Sequence, residues 1–319
     1  MRFDETTWPG LVGAVIGLVV LVACADRIAR AKWRRRWIVV AALACATLAV
    51  VWSVVVHAGL IEPRTLVTRR VEVVSEHWSG APLRIGVISD THVPGPHADP
   101  ARVARVVAAM NRLRPDIVVL LGDYVGEGAS RVDRSARIYA ATRAGIQEFS
   151  ELNAPLGVVA VLGNRDRTFD RAAIMGALQE AGIVVAQGRA ASVSRRGGDF
   201  TVIGLANERD AAEDVRDALS EAAGGDQFVI SHSPEPFTDL PDEVALMLAG
   251  HTHCGQVSVP FFGRPITHLG ENSAYACHTV IARGHTLYTT AGVGTSGLPV
   301  RFLNPPEIVL ITLRGVEAN

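Results

Sequence analysis

Two stretches of the chain carry no charged residue. One runs from Thr6 to Ala25 around "LVGAVIGLVVLVACA"; the other runs from Trp37 to Ile61 through "WIVVAALACATLAVVWSVVVHAGLI". Crossing a hydrocarbon core takes about 20 apolar residues, so residues 6–25 and 37–61 read as membrane helices. Between them lies "DRIARAKWRRRW", dense in Arg and Lys, with Trp33 and Trp37 placed to sit among head groups. A secretory signal would carry its positive charge ahead of its apolar core, not behind it. The pattern predicts a two-helix anchor over residues 1–61 with its basic loop in the cytoplasm, and everything after about Glu62 on the other side of the membrane. His57, at the end of the second span, is expected at the interface without a functional role.

Residues 62–80 read as a connector and first strand, since "VTRRVEVVS" alternates loosely. Beyond residue 80, short apolar runs alternate with helical patterns, which predicts an α/β domain over residues 81–319. Buried strands are expected at Leu83–Ser89, Ile117–Leu121, Gly157–Gly163, Phe200–Leu205, Phe228–Ser231 and Val244–Ala249, with "TLYTT" and "IVLITL" closing the series. Asp99 reads as a helix N-cap with Pro100 at the first helical position. Val103, Val106, Val107, Met110 and Leu113 give that helix one apolar face. Ile138–Leu152 reads as a second helix. Asp170 is expected to cap a third, ending near Gly182.

The residues at the ends of these strands change the picture. After the first come Asp90 and His92; after the second, Gly122 and Asp123; after the third, Gly163 and Asn164. "FVIS" is followed by His232, and "VALMLA" by Gly250, His251 and His253. Strand C-termini are where sites gather in open α/β sheets. Each glycine is expected to let the chain turn sharply and aim the next side chain inward. Singly, each residue has a dull explanation: a turn Asp, a helix cap, a structural His. Five strands ending in metal-capable side chains are harder to dismiss. Seven ligands exceed one closed tetrahedral site, so two ions are implied. A mixed oxygen and nitrogen donor set suits Mn, Fe or Zn better than Ca or Mg, as two divalent or mixed-valence ions. Such a pair, bridged by a carboxylate, is suited to phosphoester hydrolysis.

The ordered set Asp90-Thr-His92, Gly122-Asp123, Gly163-Asn164, His232 and Gly250-His251-Thr-His253 resembles the calcineurin-like metallophosphoesterase signature over about residues 80–315. The tail "LYTTAGVGTSGLPVRFLNPPEIVLITL" resembles the YkuE-like, membrane-associated bacterial branch. The resemblance implies a four-layer α/β/β/α sandwich, here preceded by two transmembrane helices. It further implies that Asp90, His92 and His253 hold one metal, that Asn164, His232 and His251 hold the other, and that Asp123 bridges them. Two positions depart from the family pattern. Arg165 stands where "GNH" would place a His, beside Asp166. Cys254 follows "GHTH" where the branch has Gly; a tolerated small residue is the favoured reading, with a metal-side thiol and a disulfide partner as the alternatives.

Composition narrows the function further. A formal net charge of -1 argues against nucleic-acid binding through bulk positive charge, so no nucleic-acid partner is expected. Four cysteines are too few for a disulfide framework. Cys24 and Cys45 fall inside the apolar runs, and whether Cys254 and Cys277 pair is left open by sequence. A metallo-β-lactamase would need His-x-His-x-Asp-His, and a haloacid-dehalogenase phosphatase would need Asp-x-Asp; neither is present. The expectation is a metal-dependent phosphoesterase with Asp123, Asn164 and Arg165 as catalytic residues. Its substrate would be a phosphodiester, phosphomonoester or pyrophosphate, with lipid-linked phosphate among the candidates because the anchor places the site near head groups. The alternative is a metal-holding but weak or inactive membrane sensor or scaffold, which Arg165 favours. Arg cannot donate a proton, so Arg165 is expected to stabilise phosphoryl charge through a charge-assisted hydrogen bond, with another histidine such as His97 or His278 swinging in as the acid as an alternative.

Overall fold

The computed structural model describes residues 8–30, 35–126, 136–206, 211–222, 225–267 and 269–316. Residues 31–34, including Trp33 of the basic loop, and the start of the first apolar run lie outside it. Two helices, α1 (Trp8–Arg30) and α2 (Arg35–Val56), pack together where Gly17 lies against the Trp52 ring. Most of their described apolar side chains are exposed. Among the described residues, one helical stretch, 37–64, is both long and apolar enough to cross a membrane. It includes a wider π turn (His57–Ile61) and a tight turn (Glu62–Arg64) leading into the first strand.

The rest builds two mixed sheets. The first has the order β1 (Val67–Ser75), β12 (Glu307–Gly315), β2 (Leu83–Ile88), β3 (Ile117–Leu120), β4 (Val158–Ala160), β5 (Val184–Val185). Strand β1 pairs in parallel with β12 along its whole length, so the stretch after the apolar helices forms one edge of the first sheet. The second sheet has the order β10 (His278–Ala282), β11 (His285–Thr289), β9 (Met247–Ala249), β8 (Gln227–Ser231), β7 (Phe200–Gly204), β6 (Arg189–Val193). Both central blocks are parallel. Parallel strands covered on both faces read as near-continuous aliphatic runs, which is why "IVVL" of β3 is buried throughout.

Strand alternation sends successive side chains to different cores. Val118 and Leu120 pack under α3 (Pro100–Arg112), α4 (Ala136–Gln147) and α5 (Asn164–Glu180), against Val106, Met110, Ile146 and Leu178. Ile117 and Val119 point the other way, between the sheets, with Phe228, Ile230 and Leu248. A third cluster joins Ile203, Val229 and Met247 to Val215 of α6 (Ala211–Ser220) and to Phe237. Three cores thus separate helix, sheet, sheet and helix.

Helix α3 starts as its sequence implies, with the Asp99 carboxylate accepting the Arg102 N–H at 2.6 Å. The third helix differs. Asp170 does cap a turn, accepting the Ala173 N–H at 3.0 Å, but the helix begins earlier, at Asn164, and Asp170 breaks it with an extended φ of -163°. The cap therefore lies inside an element, at a kink.

One buried carboxylate ties the two sheets together. Glu307, at the start of β12, is fully buried. It accepts hydrogen bonds from Tyr288 Oη (3.1 Å), Thr290 Oγ1 (3.0 Å) and the Ala291 amide (3.0 Å), and pairs with Arg69 of β1. Burial alone would raise its carboxyl, but the nearby His278 imidazole and the hydrogen bonds from the Ala291 amide and Arg69 outweigh it and hold the group at about 2, against 4.5 ordinarily. A depressed carboxyl stabilises the fold above the unfolded value and loses that contribution as pH falls through the folded one. At about 1.4 kcal/mol per pH unit the ceiling is about 3 kcal/mol. Glu307→Gln should lower the denaturant unfolding free energy by up to that amount at pH 7. The gap to the parent should close between pH 4.5 and about 2; a gap that ignores pH would contradict this role.

Candidate metal centre

All seven candidate ligands stand just beyond the C-terminal ends of strands, Asn164 at the first residue of α5. Asp90 and His92 follow β2, Asp123 follows β3, Asn164 follows β4, His232 follows β8, and His251 and His253 follow β9. Five of these residues adopt the left-handed backbone: Asp90 (φ 56°), His92 (49°), Asp123 (53°), His251 (70°) and His253 (50°). Asp and His tolerate that region better than most residues, yet each such conformation costs on the order of 1–3 kcal/mol and persists only where its surroundings enforce it. The glycines act differently from expectation. Only Gly122 of the three turns left-handed, at φ 90°. Gly163 and Gly250 are there for room: a Cβ would lie 2.0 Å from Asp123 Oδ1 in one case and 2.1 Å from Ser89 Oγ in the other.

The side chains form two adjoining groups. In the first, Asp90 Oδ1 lies 3.5 Å from His253 Nε2 and 3.8 Å from His92 Nε2, and the two imidazole nitrogens are 3.0 Å apart. In the second, His232 Nε2 lies 3.6 Å from Asp123 Oδ2, 3.0 Å from Asn164 Oδ1 and 3.2 Å from His251 Nδ1. Asp123 Oδ2 is also 3.8 Å from His92 Nε2, so this carboxylate faces both groups. Within each of the triads Asp90, His92, His253 and Asp123, His232, His251, the donor atoms converge within 4.8 Å.

The electrostatics fit bound cations. Burial lowers His92 and His232 to about 3 and holds His253 well below its usual value, so all three are neutral imidazoles with a lone pair to give. His92 Nδ1 donates to the Val125 carbonyl (3.2 Å) and His232 Nδ1 to the Leu121 carbonyl (2.8 Å), the orientation that turns each Nε2 lone pair toward the site. Burial and the neighbouring Asp123 push the Asp90 carboxyl up to about 8, against the Ser89 hydroxyl and His251 amide that bond to it. Asp90 Oδ1 is buried without a hydrogen-bond partner. An orphaned carboxylate oxygen aimed at two neutral imidazoles asks for an ion, and the mixed donors suit a transition metal.

Arg165 lies at the rim, about one-third exposed. Its amide donates to Asp123 Oδ1 (2.9 Å), its Nε is 3.7 Å from Asp123 Oδ2, and its Nη2 donates to Ser296 Oγ (2.9 Å). His97 Nε2 instead bonds the Pro299 carbonyl (3.0 Å), and His278 lies 3.6 Å from Glu307. Cys254 and Cys277 form a disulfide with Cα atoms 4.7 Å apart. This corrects the reading of Cys254 as a mere small residue: the approach to β10 brings Cys277 alongside, a pairing that no local pattern reveals.

Two residues that sequence reasoning missed hold the centre together. Asp166 is not a surface acid. It is fully buried and accepts the amides of Asp123 (2.8 Å), Tyr124 (2.9 Å), Val125 (3.0 Å) and Gly163 (2.8 Å). It thereby fixes the loop of Asp123 to that of Asn164. Its signal was present, an acid three residues after the N-cap of α5. Arg301 is also fully buried. Its guanidinium donates to the carbonyls of Gly294 (2.6 Å), Ala291 (2.7 Å) and Asn304 (3.0 Å) and lies 3.2 Å from His253 Nδ1. Nothing local marks it, because its partners come together only in the fold.

With this geometry in view, similarity to known proteins becomes specific. A family model described as "Calcineurin-like phosphoesterase" matches residues 83–255, more than half of the chain. An uncharacterized metallophosphoesterase of Aquifex aeolicus (strain VF5) is 30% identical over 244 residues, covering 74% of this chain and 87% of its own. The uncharacterized metallophosphoesterase YkuE of Bacillus subtilis (strain 168) is 29% identical over 218 residues, covering 66% and 72%. A transmembrane protein with metallophosphoesterase domain of Danio rerio is 28% identical over 262 residues, covering 76% and 55%. The chain belongs to the calcineurin-like phosphoesterase family and is a hydrolase acting on phosphoric ester bonds.

Replacing Asp166 strands four buried amides, each costing about 1–3 kcal/mol if unsatisfied. Allowing for relaxation, Asp166→Ala should lose at least about 3 kcal/mol, which for a domain of this size lowers the thermal midpoint by about 6 °C or more. Calorimetry finding an unchanged midpoint would remove Asp166 as the clasp between the two loops.

Proposed function

We propose that this chain hydrolyses a phosphate ester at two transition-metal ions, Mn, Fe or Zn, held by the seven residues described. Asp90, His92 and His253 hold one ion; Asn164, His232 and His251 hold the other; Asp123 bridges them. The observation that carries this reading is the pair of adjoining triads, with Asp123 Oδ2 of one lying 3.8 Å from His92 Nε2 of the other and Asp90 Oδ1 left without a hydrogen-bond partner. Bound ions supply the Lewis acidity that activates water and offsets phosphoryl charge. The remaining work falls to the protein. Asp123 and Asn164 orient the reacting groups between the two clusters. Arg165, fixed by Ser296 beside Asp123, offers a charge-assisted hydrogen bond to a phosphoryl oxygen and stabilises the charge that builds there without moving a proton.

The chain divides into a two-helix membrane anchor (1–61), a connector with the first strand (62–80) and the phosphoesterase domain (81–319). The basic loop faces the cytoplasm and the domain lies outside, where its disulfide would persist. Support comes from the apolar stretch 37–64 and from the relative named as a transmembrane protein. An anchored site of this kind meets phosphates at head-group level, which favours a lipid-linked ester. The second reading, a centre that holds metal with little turnover, draws on Arg165 alone.

The test is a leaving-group series with the full chain in detergent, Mn, Fe and Zn supplied separately. Aryl phosphodiesters such as bis(p-nitrophenyl) phosphate should be cleaved and chelation should abolish the reaction. General-acid help is worth about a hundred- to ten-thousand-fold, and Arg cannot give it. The rate should therefore fall steeply as the leaving group becomes more basic, and less steeply in Arg165→His. Equal slopes would remove Arg165 from this role. No turnover with any metal would favour the holding reading.

A further inference from the structure

The loop that follows the ligands His251 and His253 ends in a turn whose chemistry the phosphoesterase reaction does not use. Residues Val259–Phe262 form a tight turn, closed by the Phe262 amide donating to the Val259 carbonyl at 3.0 Å. Pro260 occupies its second position, as such turns favour. The third position requires positive φ and favours Gly or Asn, yet Phe261 stands there at φ 68°. A bulky residue in that region is an outlier, and strained positions of this kind cluster where they serve a function. Phe261 and Phe262 are 105% and 85% exposed, so packing within the chain does not compensate the strain. Ile266, Leu298 and Leu303 add exposed apolar surface, and Arg264 comes shortly after the turn.

This surface is continuous with the end of the membrane helix. Phe302 packs edge-on against His57, ring centres 6.4 Å apart, and lines one groove with Val50, Ser53 and Val54 of α2. The Arg301 amide donates to the Ala58 carbonyl at 2.9 Å. The Glu62 carboxylate accepts the amides of Leu303 (3.0 Å) and Asn304 (2.6 Å). Residues 256–258 then run beside Phe302, with the Phe302 amide on the Gln256 carbonyl (2.9 Å) and the Ser258 amide on the Phe302 carbonyl (2.8 Å). The aromatic turn is the next segment out.

We propose that the Phe261–Phe262 turn, with Ile266, Leu298 and Leu303 around it, is a second membrane contact. It would insert into the interface of the same bilayer that α2 crosses and hold the mouth of the metal centre against the head groups. Exposed Phe side chains bury at the boundary of head groups and acyl chains, and Arg264 would meet lipid phosphates. The inference rests on α2 spanning the bilayer; it does not depend on the metal centre being active.

The test uses the full chain, Cys24→Ala and Cys45→Ala, in vesicles of phosphatidylethanolamine and phosphatidylglycerol. Single nitroxide labels are placed through Phe261→Cys or, independently, Phe262→Cys; Cys254 and Cys277 remain bonded to each other. Val50→Cys on α2 serves as the bilayer reference. Asp199→Cys, exposed at the opposite end of the second sheet, serves as the water reference. Collision with oxygen against a water-soluble nickel chelate reads immersion. The labels at 261 and 262 are expected to shift toward the Val50 value and away from the Asp199 value. Labels at both turn positions that match Asp199 while Val50 reads as immersed would overturn the contact, whether the turn is bare or covered by another protein that a vesicle lacks. A Val50 label that reads as aqueous would overturn the span and the contact together.

Discussion

Seven polar side chains converge on one place, five of them buried, and much of the fold serves that constraint. Asp90 and Asp123 crowd two carboxylates into low dielectric beside three imidazoles that burial keeps neutral. Without cations the arrangement is unfavourable, and the rise of the Asp90 carboxyl to about 8 measures how strongly the protein alone resists its charge. Unpaired buried charge is the costliest thing a core can contain. The backbone is bent to the same end, with five ligands left-handed and two glycines present because a methyl group would collide with Asp123 or Ser89.

The compensating interactions are polar and long-range. Asp166 gathers four amides from two loops. Glu307 ties the first sheet to the loop after β11. Arg301 caps four carbonyls beside His253. From Arg301 a continuous route leads outward through Asn304 to Glu62, the residue that follows the π turn closing the apolar helix. The same loop that steadies a ligand histidine is therefore bonded to the end of the apolar helix, which fixes how the centre is oriented relative to that helix.

The ligand set was legible because its residues are chemically rare and each falls directly after an apolar run. The central strands were legible for the same reason: covered on both faces, they read as unbroken Val, Ile and Leu. Some elements with half-exposed faces escaped, though β1 did not. Strand β10 alternates between intermediate and exposed positions, and α6 has too short a pattern to stand out. Asp166 and Arg301 escaped as clasps because burial of a charge is decided by partners far along the chain; Arg301 sits in a proline-rich tail where its composition suggests surface. The Cys254–Cys277 pairing escaped likewise, since 23 residues of irregular chain bring the two together.

Sharing of Asp123 between two ions is the point on which the metal centre stands or falls. Elemental analysis of the purified full chain should find two transition-metal ions per chain, and Asp123→Asn should lower occupancy of both sites while the circular dichroism spectrum is retained. A parent protein with one ion or none after reconstitution, or an Asp123→Asn variant that keeps two, would contradict it.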